Sequence, residues 1–150
     1  MVELRAVDID TDLELIMAWR SDPDIYKWFP LGQRRPLAWE EHYSFWTTKQ
    51  SSSDNWIILT EGRKVGCIRA IRPNWGTKEV DILVGEKSLW GKGIGAEAIR
   101  IVLNYLKEIG FFCAIARIDK DNIGSQKAFY KNGLRVTDRE DSILIYKRSW

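Results

Sequence analysis

The stretch "ILVGEKSLWGKGIGAEAI", Ile82 to Ile99, sets four glycines, with Lys92 among the last three, between an apolar run and a helix-like pattern. The run "EVDILV" that leads into it has the composition of a strand. Beyond the glycines, Ile94, Ala98, Ile101, Val102, Tyr105, Leu106 and Ile109 make one apolar stripe at helical spacing, which stops at Gly110. Glycines that open a helix suit an anion. The first N–H groups of a helix are unpaired, and its start carries roughly half a positive charge. Gly93 and Gly95 let the backbone approach a phosphate with no Cβ in the way, and Lys92 adds a point charge. The plainer reading is a tight turn and nothing more.

Three kinds of phosphate site use glycines in this way. A Walker loop needs four residues between its first glycine and Gly-Lys, then Ser or Thr to hold magnesium. Here five residues separate Gly85 from Gly91, and Gly93 follows Lys92, so spacing and chemistry both fail. The dinucleotide fingerprint is closer. Gly91, Gly93 and Ala96 fit G-x-G-x-x-A, and Asp119 ends the next strand about where a ribose ligand would lie. Against it, six residues separate Val84 from Gly91, and only one βαβ unit can be drawn, with hairpins on both sides. The third kind is an acyl-coenzyme A site.

Outward from this stretch, "VELRAV" alternates as a first strand, and Asp10 or Thr11 can cap a helix through Leu13, Ile16, Met17 and Arg20. "RSDPDIYKWFP" breaks around Pro23 into a turn or second short helix. Pro36 suits the start of another helix, in which Trp39, Tyr43 and Trp46 share a face. "NWIILTEGRKVGCIRAI" predicts a hairpin about Glu61-Gly62, and Asn74 to Thr77 a further turn. "CAIARI" is a strand, Asn122 to Asn132 a helix ended by Gly133, and "LRVTDREDSILIYKR" a closing hairpin. The order β α α β β β α β α β β is that of an α+β domain with a mixed sheet.

A chain of 150 residues is one ordinary domain, taken as 1–150. Its 45% hydrophobic and 29% charged content is that of a water-soluble globular protein, and a net charge of +2 argues for neither nucleic acid nor membrane. Cys67 and Cys113 lack a CxxC partner and, with a single histidine, make no zinc site; they read as reduced, buried thiols. The N-terminus is too acidic for a signal peptide and no apolar run approaches membrane length, so the expected location is the cytoplasm.

Two motifs carry a family likeness. The segment Glu79 to Ile99 resembles the coenzyme-binding core of the GCN5-related N-acetyltransferases (GNAT). Their loop is written Gln/Arg-x-x-Gly-x-Gly/Ala, and this chain has Trp90-Gly91-Lys92-Gly93-Ile94-Gly95, with Trp90 at the Gln/Arg place. "WGKG" followed by "AEA", and "AWRSDPDIYKWF" followed by "EEH", are similar to the branch that resembles the ribosomal-protein N-terminal acetyltransferases. "NIGSQKAFYKNGL" is similar to the family helix N-x-x-S-x-x-x-Y-x-K-x-G-F.

The resemblance implies a mixed, mostly antiparallel β-sheet flanked by helices on both faces, with acetyl-coenzyme A as cosubstrate. It implies a diphosphate held by Gly91, Lys92, Gly93, Ile94, Gly95 and Ala96. Ile82, Leu83 and Val84 would offer backbone groups to the pantetheine arm, which lies along the strand as another strand would. Asn122 would bond the arm, although Asn there is equally a good N-cap. The acceptor implied is a primary amine, either of a small molecule such as an amino sugar or of a protein N-terminus. A homodimer is compatible with this reading. A coenzyme-A-binding sensor without catalysis is the alternative.

The chemistry needs a neutral amine. A lysine-like amine of pKa about 10.4 costs roughly 4.6 kcal/mol to deprotonate at pH 7, an α-amine near 8 about 1.4. Glu79 and Asp81 are two apart on a strand and share a face, and Glu79 matches a position that the family uses as base. His42 is placed on a helix surface. The family tyrosine, commonly the acid that protonates the thiolate, falls at Phe129, which would face the coenzyme. Tyr130, the candidate phenol, is turned about 100° round the helix. Trp19, Trp28, Phe29, Trp39 and Trp46 are candidates for an acceptor wall, Arg34 and Arg35 for an anionic substituent.

Overall fold

The glycine-rich stretch joins a strand to a helix, and the other elements are laid around that junction. A computed structural model describes residues 1–48 and 54–150. In chain order the elements are β1 (Val2–Ala6), α1 (Leu13–Arg20), α2 (Pro23–Tyr26), α3 (Trp39–Thr48), β2 (Asp54–Thr60), β3 (Arg63–Asn74), β4 (Thr77–Val84), α4 (Ile94–Glu108), β5 (Cys113–Asp119), α5 (Ile123–Lys131), β6 (Arg135–Glu140) and β7 (Ile143–Ser149). Short 3-10 turns lie at Leu31–Gln33 and Lys87–Leu89.

All seven strands join one sheet in the order β1-β2-β3-β4-β5-β7-β6. Only β4 and β5 pair in parallel; every other neighbour is antiparallel. The mixed α+β architecture predicted from the pattern is therefore present, and a doubly wound nucleotide fold is not. Glu61 (φ 51°) and Gly62 (φ 77°) turn the β2–β3 hairpin, the two left-handed residues that a two-residue hairpin turn requires.

Strand alternation divides the apolar side chains between two cores. On one face Ile58, Ile68, Val80, Ala116 and Tyr146 pack with Ala98, Val102 and Leu106 of α4 and Phe129 of α5. On the other, Ile57 and Cys67 pack with Leu13, Ile16 and Trp19 of α1, Ile25 of α2 and Trp46 of α3. Both cysteines are free and buried. Burial pushes the Cys67 thiol up to about 12, which leaves it inert.

Three local expectations are corrected. The buried stripe of α4 runs through Ala98, Ile99, Val102, Leu103 and Leu106, while Tyr105 and Ile109 reach solvent. The helix is apolar over more than one arc, and the sheet beneath it selects which arc is covered. The residue before α1 is Asp12, not Asp10 or Thr11, and it makes no side-chain cap. Its carboxylate is committed to Arg5, Lys64 and the Asp8 N–H instead. His42 is not on a surface but 1% exposed, its Nε2–H donating to the Leu13 carbonyl at 2.7 Å. Burial lowers its pKa and keeps the ring neutral. It clamps α3 to α1.

Candidate active site

β4 and β5 are paired only at Thr77–Cys113, Lys78–Ala114 and Glu79–Ile115. Beyond Glu79 they part, because β4 stays with β3 as far as Val84–Gly66 while β5 follows β7 as far as Asp119–Ile143. Among the described residues, the backbone edge of β4 that faces the opening has no strand beside it. The Gly85 N–H donates to the Val65 carbonyl at 2.8 Å, which sets the phase of the β3–β4 ladder. By the alternation of antiparallel pairs, Leu83 and Asp81 exchange bonds with β3, whereas Ile82 and Val84 turn their backbone groups to the opening. Leu83, expected to serve with its neighbours, is thereby corrected: its backbone belongs to β3. The Val84 carbonyl already takes the Trp90 indole N–H at 2.7 Å.

The four glycines turn out to do three different things. Gly85 makes room within the protein, since a Cβ there would stand 2.2 Å from the Trp19 indole. Gly91 and Gly93 hold φ of 78° and 82° with open space where a Cβ would be. Gly95 has ordinary φ, and a Cβ on it would meet only Ile82 and Val84 at 3.7 and 3.9 Å. Neither strain nor packing therefore requires glycine at 95. The first helical bond of α4 runs from Glu97 N–H to the Gly93 carbonyl, and Gly93 has no side chain to cap the amides before it. The N–H groups of Ile94, Gly95 and Ala96 thus form a bare cationic turn facing Ile82 and Val84, with Lys92 exposed beside it.

α5 answers the expectations unevenly. Asn122 caps the helix, its Oδ1 accepting from the Ser125 N–H at 3.3 Å, and its amide Nδ2 has no acceptor among the described residues. Phe129, read as a coenzyme contact, is 2% exposed inside the larger core and has no surface to offer a ligand. Tyr130 is on the outer side of the helix, 3.7 Å from the Arg135 guanidinium. With Ile123, Gln126, Lys127, Lys131 and Tyr146 it lines an open pocket of about 490 Å3, to which neither β4 nor the glycine turn contributes. The structure does not bring Tyr130 to Glu79.

Glu79 and Asp81 do share one face, the one that α1–α3 cover. Arg69 holds Asp81 from Nε at 3.0 Å and through its second nitrogen. Glu79 accepts from Arg117 Nε at 3.1 Å, and the same guanidinium reaches Glu140 at 3.1 Å. Burial raises the Glu79 pKa, and the Arg117 bond pulls the other way. Arg117 gave no signal in the sequence, because its two partners lie 38 and 23 residues away. Of the aromatic candidates, Trp19 and Trp46 are core, Trp39 stacks on Tyr43 at the surface, and Phe29 lies under Arg20 with 5.3 Å from guanidinium to ring centroid. Arg34 bonds the Phe29 carbonyl and Asp119, tying the loop before α3 to the end of β5. Arg35 is taken by Glu41.

Comparisons with known proteins point one way. A family model described as an acetyltransferase (GNAT) domain matches residues 2–135. An uncharacterized protein of Methanocaldococcus jannaschii is 47% identical over 133 residues, 87% of this chain but 27% of the relative, so the chain spans about a quarter of that protein's length. The crystal structure of a domain from the same organism is 41% identical with a TM-score of 0.93, covering 100% of this chain and 99% of that one. An aminoglycoside acetyltransferase in complex with coenzyme A has a TM-score of 0.83 at 18% identity, covering 99% and 95%, a likeness of fold.

Proposed function

Because the chain belongs to the acetyltransferase (GNAT) domain family, we propose that it binds acetyl-coenzyme A between β4 and β5 and transfers the acetyl group to a primary amine. The observation that carries this is the parting of the two strands after Glu79, directly beside a helix start left bare by Gly93. An extended amide arm fits the free edge at Ile82 and the Val84 N–H, and a diphosphate fits the N–H groups of Ile94, Gly95 and Ala96 with Lys92 beside them. Asn122 Nδ2 is a donor for the arm. The thioester itself supplies the electrophilic carbon; this chain's groups orient it and manage protons.

Glu79 is the candidate base. Its carboxylate, directly or through water, takes the proton that the acceptor ammonium must lose before its lone pair forms the new C–N bond. As the C–N bond forms and the C–S bond breaks, the thiolate leaves with the electron pair and the nitrogen gives its second proton to water. A thiol of pKa about 8.5 is a tolerable leaving group, so water can protonate it without a phenol on α5. The acceptor is an amino sugar or similar small amine, or a protein N-terminus, the latter favoured by the "WGKG" and "AWRSDPDIYKWF" motifs. The working location is the cytoplasm; none of the described helices is long and apolar enough to cross a membrane.

A second reading has its own observation. Phe129 is buried and Tyr130 lies apart from Glu79, so α5 brings no phenol to the reacting centre, as suits a coenzyme-A-binding sensor without turnover. Free-thiol release from acetyl-coenzyme A, measured across panels of amino sugars, polyamines and short peptides, decides. Amine-dependent release is expected. Tight coenzyme A binding by calorimetry with no release from any panel would leave the sensor.

A further inference from the structure

On the face of the sheet that carries Glu79, four arginines gather, and three are engaged. Arg69 holds Asp81, Arg117 holds both Glu79 and Glu140, and Arg34 holds Asp119 and the Phe29 carbonyl. Arg20, the last residue of α1, makes no hydrogen bond or ion pair among the described residues. It is only half-exposed, with one face of its guanidinium over Phe29, and the Arg69 charge is among its neighbours. Burial and that like charge depress its pKa, although Asp81 and, more weakly, Glu41 oppose them.

A cation partly removed from water, next to another cation and with its five donors unused, is a costly arrangement for the free protein. An anion would relieve it, and the planar fork matches a carboxylate or a phosphate in two parallel bonds. We propose that Arg20 receives an anionic group carried by the amine acceptor, an inference that rests on the acetyl-transfer reading for what the acceptor is. The spacing narrows the class. Asp81, which Arg69 holds, and Glu79 stand one side-chain repeat apart on the same face of β4. One such repeat is about 7 Å. An acceptor whose amine lies at Glu79 and whose anion lies with Arg20 on the Asp81 side separates the two by about one repeat, more than an α-amino acid does and as a phosphorylated or carboxylated amino sugar does.

The test compares glucosamine with glucosamine 6-phosphate and with its C6 carboxylate, 2-amino-2-deoxyglucuronic acid, the last two separating phosphate from carboxylate at one end of one parent amine. Affinity is read by calorimetry on protein saturated with coenzyme A, and turnover by thiol release. The wild-type protein is expected to favour at least one anionic member over glucosamine by tenfold or more. Arg20→Gln should reduce that ratio below threefold, and Arg20→Lys, which keeps the charge but loses the fork, should fall between. Coenzyme A affinity and melting temperature report that each variant is folded; if Arg20→Gln is not, the intermediate ratio of Arg20→Lys carries the test. No anionic preference in wild type by either readout overturns the proposal, as does a preference that survives both substitutions. Turnover of all three sugars at equal kcat/KM overturns the anion site and leaves acetyl transfer standing. An Arg20-dependent preference in calorimetry with no thiol release does the reverse.

Discussion

Glu79 is under two opposed influences, burial that raises its pKa and an Arg117 bond that lowers it, with burial ahead. A base works deprotonated, so turnover is lost as pH falls through the folded-state pKa, and that pKa lies above the ordinary 4.5 of Glu. Glu79→Gln should lower kcat at least tenfold, remove this acid limb and leave coenzyme A affinity unchanged. The deficit should be larger with a lysine-like acceptor than with an α-amine, which costs about 3 kcal/mol less to deprotonate at pH 7. Arg117→Gln removes the opposing influence, so the acid limb should move to higher pH. A pH–rate profile that is the same in both variants as in wild type would return Glu79 to a structural role.

Elements give their own contrasts. Gly85 and Gly95 stand at the two ends of the β4–α4 junction and are glycine for different reasons. Gly85→Ala forces a methyl against Trp19 and should cost about 1–3 kcal/mol of stability, seen as a lower melting temperature. Gly95→Ala meets no close atom and favours the helix by up to about 1 kcal/mol, so the fold should be unharmed. Alanine is also admitted at this place in the family loop, so coenzyme A affinity should stay within threefold. Gly93→Asp, which on the proposed reading brings bulk and like charge to the diphosphate, should lower it at least tenfold, about 1.4 kcal/mol. Undiminished affinity in Gly93→Asp would remove the phosphate site from this turn. Along α5, Phe129→Tyr buries a hydroxyl in an apolar core and should destabilise by about 1–3 kcal/mol rather than supply an acid. Tyr130→Phe, on the outer face, should change turnover less than threefold; loss of activity with coenzyme binding intact would make Tyr130 the acid after all.

At the scale of the molecule, the face that carries Glu79 is closed from its edge by one buried carboxylate. Asp12 is bonded by Arg5 of β1, by Lys64 of β3 at 2.7 Å and by the Asp8 N–H at 2.7 Å, so it ties α1 to two strands. Burial alone would raise its pKa, but the bonds from Arg5, Lys64 and Asp8 outweigh it and bring it down to about 2. A carboxyl depressed in the folded state stabilises fully above its unfolded pKa near 3.8, and loses that contribution as pH falls toward 2. Asp12→Asn should therefore cost about 2–3 kcal/mol at pH 7, and its penalty should shrink between pH 4 and pH 2 in denaturant titrations. A penalty independent of pH would mean that packing, not charge, holds α1.

What the sequence determined by itself is local or periodic. Alternation and turn residues set the strands and hairpins, and the glycines between Val84 and Ile94 placed a helix start with bare amides. Backbone chemistry of that kind depends on neighbours within a few residues, so it is legible along the chain. Glu79 and Asp81 fell on one face for the same reason. The tertiary structure decided everything that rests on a distant partner. Whether Gly85 serves a phosphate or a tryptophan depended on Trp19, 66 residues earlier. Whether Leu83 or Ile82 faces the opening depended on the phase of β3, and whether Phe129 faces a ligand or a core depended on how α5 sits against α4. His42 changed from surface to clamp because Leu13 offered a carbonyl, and Arg117, silent in the sequence, joined Glu79 to Glu140 across the sheet. Side-chain pairing across the sheet is a property of three-dimensional proximity, and no spacing in the chain encodes it.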